Sequence, residues 1–289
     1  MDYQTITVTP AAGALGAEVS GIDLAPPLSD RAFDELHHAF TTHMVLMFRD
    51  QNLTPEQQVA FGARFGPIYR VPYVEHLADH PDIIAVLKEA DEQKIFTFGG
   101  TWHTDFSFLP EPPASSLLYA LDVPETGGDT IWANMTAAYD TLSDGLKASL
   151  DGMVAIHTGA PHGTKFAPPP DMAVSRSIKM SRGDPAADNE TEHPVVRIHP
   201  VSDAKGLFIN PVYTVRFKGM TEAESRPLLD YLCAHAVRPE FTCRLSWRQG
   251  SMAMWDNRCT QHLAVNDYDG QRRLLHRITI AGERPVGPD

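Results

Sequence analysis

Trp102-His103-Thr104-Asp105 sets an imidazole and a carboxylate two residues apart. Residues i and i+2 of an extended strand face the same way. The spacing therefore predicts His103 and Asp105 on one strand face, able to reach one metal ion together. A second imidazole, His262, ends the downstream run Trp255-Asp256-Asn257-Arg258-Cys259-Thr260-Gln261-His262. Two imidazoles and one carboxylate on one side of an ion leave its other side open, the arrangement used by non-haem Fe(II) oxygenases. With 13 histidines in the chain, a lone one carries little weight. The HxD spacing carries more, and so does its setting: a carboxylate beside Phe106, Phe108 and Pro110 is costly unless something pairs with it, and a metal is one such partner.

Near the C-terminus, Arg273-Leu274-Leu275-His276-Arg277-Ile278-Thr279-Ile280 reads as a strand. Its alternation puts Arg273, Leu275 and Arg277 on one face. Two guanidinium groups so placed form an anion-binding surface suited to carboxylate or sulfonate. Surface ion pairs with the chain's many acids are the competing reading of the same two residues.

These groups must be positioned by the rest of the chain. Strand-like pieces open it at Ile6-Thr7-Val8 and Ala17-Glu18-Val19. A helix is expected over Ser29–Thr42, with Ser29 as N-cap, and then a buried strand over Met44–Phe48. Thr54-Pro55-Glu56-Gln57 reads as a helix start, Thr54 capping and Gln57 reaching back, with the stop near Gly66-Pro67. Further strands are expected at Ile83–Leu87, Ser115–Leu121, Thr130-Ile131-Trp132, Val195-Val196-Arg197, Leu207–Asn210, Tyr213–Phe217, Phe241–Trp247, Ser251–Trp255 and Arg273–Ala281. Helices are expected within Asn134–Leu150 and over Thr221–Ala236. Many short strands separated by turn signals predict a sandwich or barrel, with helices packed outside. Residues 158–193, rich in proline and polar side chains and without periodicity, are expected to form a lid over the site.

No linker divides the 289 residues, so 1–289 is read as one domain. The formal net charge of −13 argues against nucleic acid and anionic membranes as partners. No apolar stretch approaches the roughly 20 residues of a membrane span, and the N-terminus lacks a signal-peptide pattern. Cys233, Cys243 and Cys259 are widely spaced and odd in number, which predicts reduced thiols in a cytoplasmic protein.

Trp102–Asp105, the Gly127-Gly128-Asp129-Thr130 turn, Trp255–His262 and Gln271–Arg277 occur in an order and spacing that resembles the taurine dioxygenase-like family. The likeness runs from Gly16–Leu24 to Thr279. These are Fe(II)- and 2-oxoglutarate-dependent dioxygenases acting on taurine, alkyl sulfates and phenoxyalkanoates. The resemblance implies a mainly β fold, a double-stranded β-helix or jelly roll with flanking helices. It implies His103, Asp105 and His262 as catalytic Fe(II) ligands, with Thr130 and Arg273 on the distal carboxylate of 2-oxoglutarate. Arg277 is placed near the other carboxylate and the substrate anion. It further implies O2 as co-substrate, succinate and CO2 as products, and self-association as a dimer or tetramer. Asp105 fills the position left open in halogenating relatives, which argues against halogenation.

Departures from the taurine-acting members bear on the substrate. The position of a taurine-contacting histidine is Val71, within Tyr69-Arg70-Val71-Pro72-Tyr73-Val74. That of an asparagine is Gly99, while an aromatic residue is kept as Tyr213. The expected substrate is thus a small organic anion larger or more apolar than taurine: an aryloxyalkanoate, alkyl sulfate or sulfonate. Val71, Tyr73, Gly99 and Tyr213 line its pocket and Arg277 meets its acid group, and C–O or C–S cleavage follows hydroxylation. A zinc-type metallohydrolase is a rival reading, but it does not require the Arg273 and Arg277 clamp. A non-catalytic ligand-binding jelly roll is the other, and it would tolerate loss of Asp105 or Arg273.

Overall fold

Val45–Phe48 is apolar at every position and buried at every position. A strand reads this way when both of its faces are covered. Val45 and Met47 enter one core, and Leu46 and Phe48 another. The same alternation divides Leu118 and Ala120 from Leu117 and Tyr119, and Ala253 and Trp255 from Met252 and Met254.

The computed structural model describes residues 2–93, 97–165, 176–180 and 183–288. Among these, the strand Val45–Phe48 lies in a seven-stranded sheet ordered Thr7–Pro10, Ala17–Ser20, Val45–Phe48, Met252–Asp256, Ser115–Asp122, Arg273–Ile280, Ile84–Lys88. A three-stranded antiparallel sheet, Thr242–Leu245, Thr130–Asn134 and Thr260–Ala264, faces it. Trp132, Cys243, Leu245 and Trp247 of that side pack on Val45, Leu118, Trp255 and Leu275 of the large sheet. Two sheets closed face to face in this way are the jelly roll expected for the chain.

The opposite face of the large sheet is covered by two helices, Asp30–His43 and Pro55–Ala63, through Leu36, Ala39, Phe40 and Phe61. Ser29 caps the first helix, and Thr54 and Gln57 form the capping box of the second. Met44, expected to open the strand, instead ends the first helix with φ 64°. Asn134–Leu150 resolves into two short helices, Met135–Asp140 and Asp144–Leu150, capped by Asn134 and Ser143. With the helix Glu222–Ala236 they build a third core around Leu150, Leu229, Leu232 and Phe241. Among the described residues, no helix is long and apolar enough to cross a membrane.

The stretch 158–193 is less irregular than its composition predicts. Thr158 closes the strand Val154–Thr158, and Glu190–Pro194 pairs with it antiparallel. The second strand is hidden in sequence because Glu190, Thr191 and Glu192 are polar and only His193 is fully buried. Residues 166–175 and 181–182, part of the expected lid, lie outside the described residues.

His193 meets His157 edge-on at 5.2 Å, with Phe208 against both. Burial holds His157 well below its usual pKa, and the neighbouring His193 adds to this. Burial likewise lowers His193, to about 4. Above pH ~6.5 both are neutral whether the chain is folded or not. Below it the unfolded chain takes up protons that the folded chain refuses, so stability falls as pH drops from ~6.5 toward 4. The limiting slope is about 1.4 kcal/mol per pH unit per histidine. Urea midpoints at pH 7.5, 6.5 and 5.5 should therefore decline, and decline less in His193→Gln.

Candidate active site

His103 and Asp105 are not on a strand. The expected extended HxD segment is replaced by a single antiparallel bridge followed by a turn. His103 and His262 exchange both backbone hydrogen bonds, N to O at 3.0 and 2.8 Å. That bridge, not strand alternation, brings the two imidazoles together, with ring centroids 4.2 Å apart. The chain then reverses at Phe106, whose φ of 45° is uncommon for an aromatic residue and costs about 1–3 kcal/mol. The reversal turns the Asp105 carboxylate back toward both rings.

Asp105 Oδ1 lies 3.5 Å from His103 Nε2 and 3.7 Å from His262 Nε2. Ligand atoms about 2.1 Å from one ion stand about 3.0–3.4 Å apart, so a small inward movement of the three side chains completes a site. The other carboxylate oxygen is already engaged. Oδ2 accepts the Ser116 hydroxyl at 2.8 Å and pairs with Arg277 Nη2 at 2.8 Å. Ser116 Oγ in turn accepts Asn257 Nδ2, and Asn257 Oδ1 accepts Trp255 Nε1–H. One oxygen is thus fixed from behind while the other faces the imidazoles.

The protonation states suit a metal. Burial works against the Asp105 charge, but Arg277 foremost, then His262 and His103, outweigh it and hold the carboxyl far below its usual range. Burial, and then His103, keep His262 well below its usual value and so neutral. His103 Nδ1 donates to the Thr101 carbonyl at 2.7 Å, which leaves Nε2 as the lone-pair nitrogen turned to the site.

A second group of ligand types, His199, Asp256 and Cys259, also converges, but its chemistry is different. The Asp256 carboxylate takes Arg258 through Nε and Nη2, the Arg258 backbone N–H, and His199 Nε2. With its oxygens so occupied, this cluster is an ion-pair lock on the turn that leads to the strand of His262.

Arg273 and Arg277 both face inward from the strand Arg273–Ile280, as the alternation requires, and both are almost fully buried. Their roles diverge. Arg277 is an internal partner of Asp105, and its guanidinium lies over the Phe106 ring. Arg273 lies over Trp247 and Tyr268, donates Nε–H to the Gly128 carbonyl at 3.1 Å, and leaves Nη2 buried without a partner. Trp247 also ties Arg273 to Thr130, whose hydroxyl accepts the indole N–H at 3.0 Å. Gly128 has φ 67°, and a Cβ there would stand 3.1 Å from Arg273 Cδ, so glycine sets the guanidinium's position. A buried guanidinium with an idle N–H is what a carboxylate completes. The gap in front of it is water-sized, about 10 Å³, and shares Thr97, Phe98 and Arg176 with the larger cleft, so those side chains must yield to an incoming acid.

That cleft, about 180 Å³, is lined by His103, Asp105, Gly99, Phe106, His162, Met180, Val212 and Tyr213 among others. The profile of the taurine catabolism dioxygenase TauD, TfdA family matches residues 7–279. The chain belongs to this family. An alpha-ketoglutarate-dependent sulfate ester dioxygenase of Pseudomonas putida is 37% identical to it, over 98% of this chain and 92% of the relative. An alkylsulfatase of Acinetobacter baylyi is also 37% identical, over 98% and 87%. The crystal structure of a taurine dioxygenase from Burkholderia xenovorans superposes with a TM-score of 0.82 at 36% identity, over 99% of this chain and 92% of that one. As a TauD/TfdA-family dioxygenase, the protein uses Fe(II), 2-oxoglutarate and O2.

The expected substrate residues divide. Gly99 and Tyr213 line the cleft. Gly99 has φ 76°, and a Cβ there would stand 3.2 Å from the His103 ring, so its glycine serves the metal site as well as the pocket. Val71 is core, packed with Phe106 and Tyr213, and is not among the described lining residues. Tyr73 stacks on His162 at 5.4 Å behind the wall. Sequence reasoning missed Ser116, Asn257 and His162. The serine pair Ser115-Ser116 opening an apolar strand was a signal for the first.

Arg277→Ala should strand the Asp105 carboxylate in the interior. The expected loss is about 3–5 kcal/mol of unfolding free energy in metal-free protein. Anaerobic Fe(II) should then raise the melting temperature more in the variant than in the wild type. Equal stability of the two metal-free proteins would show that the ion pair is idle.

Proposed function

We propose that the protein oxidises a small amphiphilic organic anion, an alkyl sulfate ester first, with aryloxyalkanoates and sulfonates as the next classes. His103, Asp105 and His262 are the metal ligands of this reading, and Thr130 and Arg273 receive the far carboxylate of 2-oxoglutarate. The observation that carries it is the divided Asp105 carboxylate, one oxygen held by Arg277 and Ser116 and the other facing two imidazole nitrogens. When bound, Fe(II) and 2-oxoglutarate reduce O2, release succinate and CO2, and deliver one oxygen atom into a substrate C–H bond.

The chain's residues supply the surroundings. The Thr101 carbonyl holds the His103 tautomer. Trp255 packs on the His262 ring at 4.8 Å, and the Phe106 ring lies under the Arg277 guanidinium. In an alkyl sulfate, hydroxylation of the carbon bearing oxygen gives a hemiacetal ester, which collapses to aldehyde and hydrogen sulfate. The names of the two bacterial relatives support this choice. The unsatisfied Arg273 favours an oxygenase over zinc hydrolysis, which has no use for a second buried cation.

Residues 1–289 act as one domain in this reading, and His162, Arg176 and Met180, from the described part of 158–193, line the cleft. The three free thiols suit a cytoplasmic location. The test is a panel of alkyl sulfates, alkanesulfonates and aryloxyalkanoates incubated with Fe(II), ascorbate and 2-oxoglutarate in air. Succinate formed in equal amount to released acid or phenol supports the class. Succinate that no panel member stimulates contradicts the substrate choice.

A further inference from the structure

We propose that Ser116 is a positioning residue of the metal site, its hydroxyl proton aimed at Asp105 by Asn257 and Trp255. This rests on the metal-ligand reading above. Ser116 lies on the strand Ser115–Asp122, opposite Trp255 on one side and Thr279 on the other. It is fully buried at the head of the row Ser116, Leu118, Ala120, whose other members are apolar core. An alanine would continue that row without the cost of burying a hydroxyl, so the serine must be offset by its bonds.

Those bonds leave the hydroxyl one orientation. A serine oxygen carries one proton and two lone pairs. Asn257 Nδ2 and Arg277 Nη2 each reach it at 3.1 Å, and both can only donate. They fill the lone pairs, and the proton is left with Asp105 Oδ2, 2.8 Å away. The sense of the Asn257 amide is fixed one step further back. Trp255 Nε1–H, also a donor only, stands 2.9 Å from Asn257 Oδ1. The amide oxygen must therefore face the indole, and its nitrogen must face Ser116. The same indole packs on the His262 ring at 4.8 Å. Trp255 thus bears on two of the three ligands, on His262 by contact and on Asp105 through Asn257 and Ser116.

The relay gives Oδ2 an uncharged donor rooted in a central strand. Arg277 Nη2 also meets Oδ2 at 2.8 Å, but that guanidinium keeps a buried Nε without a partner and can serve an incoming acid as well. The one proton of Ser116 is taken by Oδ2 and stays there when a ligand draws on Arg277. Oδ1 is thereby kept turned toward His103 and His262. Hydrogen-bond partners standing behind a ligand in this way commonly set its affinity for the metal.

The test is Co(II) titration of metal-free protein under argon, followed by absorption, with the melting temperature of each metal-free variant recorded. Ser116→Ala removes the hydroxyl. Ser116→Cys keeps a side chain there with a far weaker donor, and it carries the test if Ser116→Ala does not fold. Asn257→Leu removes the amide. Co(II) affinity should fall about 10- to 100-fold in Ser116→Ala, with an altered Co(II) spectrum, and by a smaller factor in Ser116→Cys and Asn257→Leu. Because Asn257 acts through Ser116, Asn257→Leu should cost no further affinity when added to Ser116→Ala. Unchanged affinity in Ser116→Ala, or losses that simply add in the double variant, would overturn the proposal alone, provided Asp105→Ala abolishes binding. Co(II) bound equally well by Asp105→Ala would overturn the ligand reading and this proposal with it.

Discussion

Asp105→Ala is expected to lower substrate-dependent succinate formation by at least about a thousand-fold, because the metal's contribution of several kcal/mol disappears with its ligand set. The side chain does two jobs at once. Oδ1 faces His103 and His262, while Oδ2 neutralises Arg277. The single variant therefore leaves a buried guanidinium uncompensated and should also lose about 3–5 kcal/mol of stability. The double variant Asp105→Ala, Arg277→Met separates the two effects. Removing the orphaned charge should restore most of the melting temperature, while iron binding and turnover stay lost. Iron content and turnover within ten-fold of wild type in Asp105→Ala would refute the assignment.

Arg273→Met should raise the KM for 2-oxoglutarate about 100-fold with a smaller change in kcat. A charge-assisted, two-pronged carboxylate contact of about 2–3 kcal/mol corresponds to that factor. Stability should move the other way. Arg273 is buried with Nη2 unsatisfied, so without co-substrate its removal should not lower the melting temperature and should tend to raise it. Adding 2-oxoglutarate at 100 times its Kd should stabilise wild type by about 2.7 kcal/mol and the variant hardly at all. A variant that loses stability without co-substrate, yet keeps its KM, would make Arg273 a structural arginine only.

Local signals in the chain translated well into structure. The Thr54–Gln57 capping box works within one turn of backbone, and Val45–Phe48 announces double burial by its composition alone. The alternation of Arg273, Leu275 and Arg277 correctly turned both guanidinium groups inward. What each would touch was not legible. Arg277 finds Asp105 only because the jelly roll sets the strands Ser115–Asp122 and Arg273–Ile280 side by side, with Ser116 bridging the pair. The HxD pair does converge with His262, but by other means than expected: a bridge to His262 and a strained turn at Phe106 do what a strand was expected to do. His162 gave no signal, because its stretch has no periodicity and its partners Tyr73, Phe106 and Tyr213 come from three separate parts of the chain.

The most direct measurement follows hydrogen sulfate and succinate together from hexyl sulfate, with Fe(II) or Zn(II) in the protein and 2-oxoglutarate and O2 each present or withheld. The account predicts release only when Fe(II), 2-oxoglutarate and O2 are all supplied, with one succinate per sulfate. Sulfate released by the Zn(II) protein without 2-oxoglutarate would contradict it and identify a hydrolase.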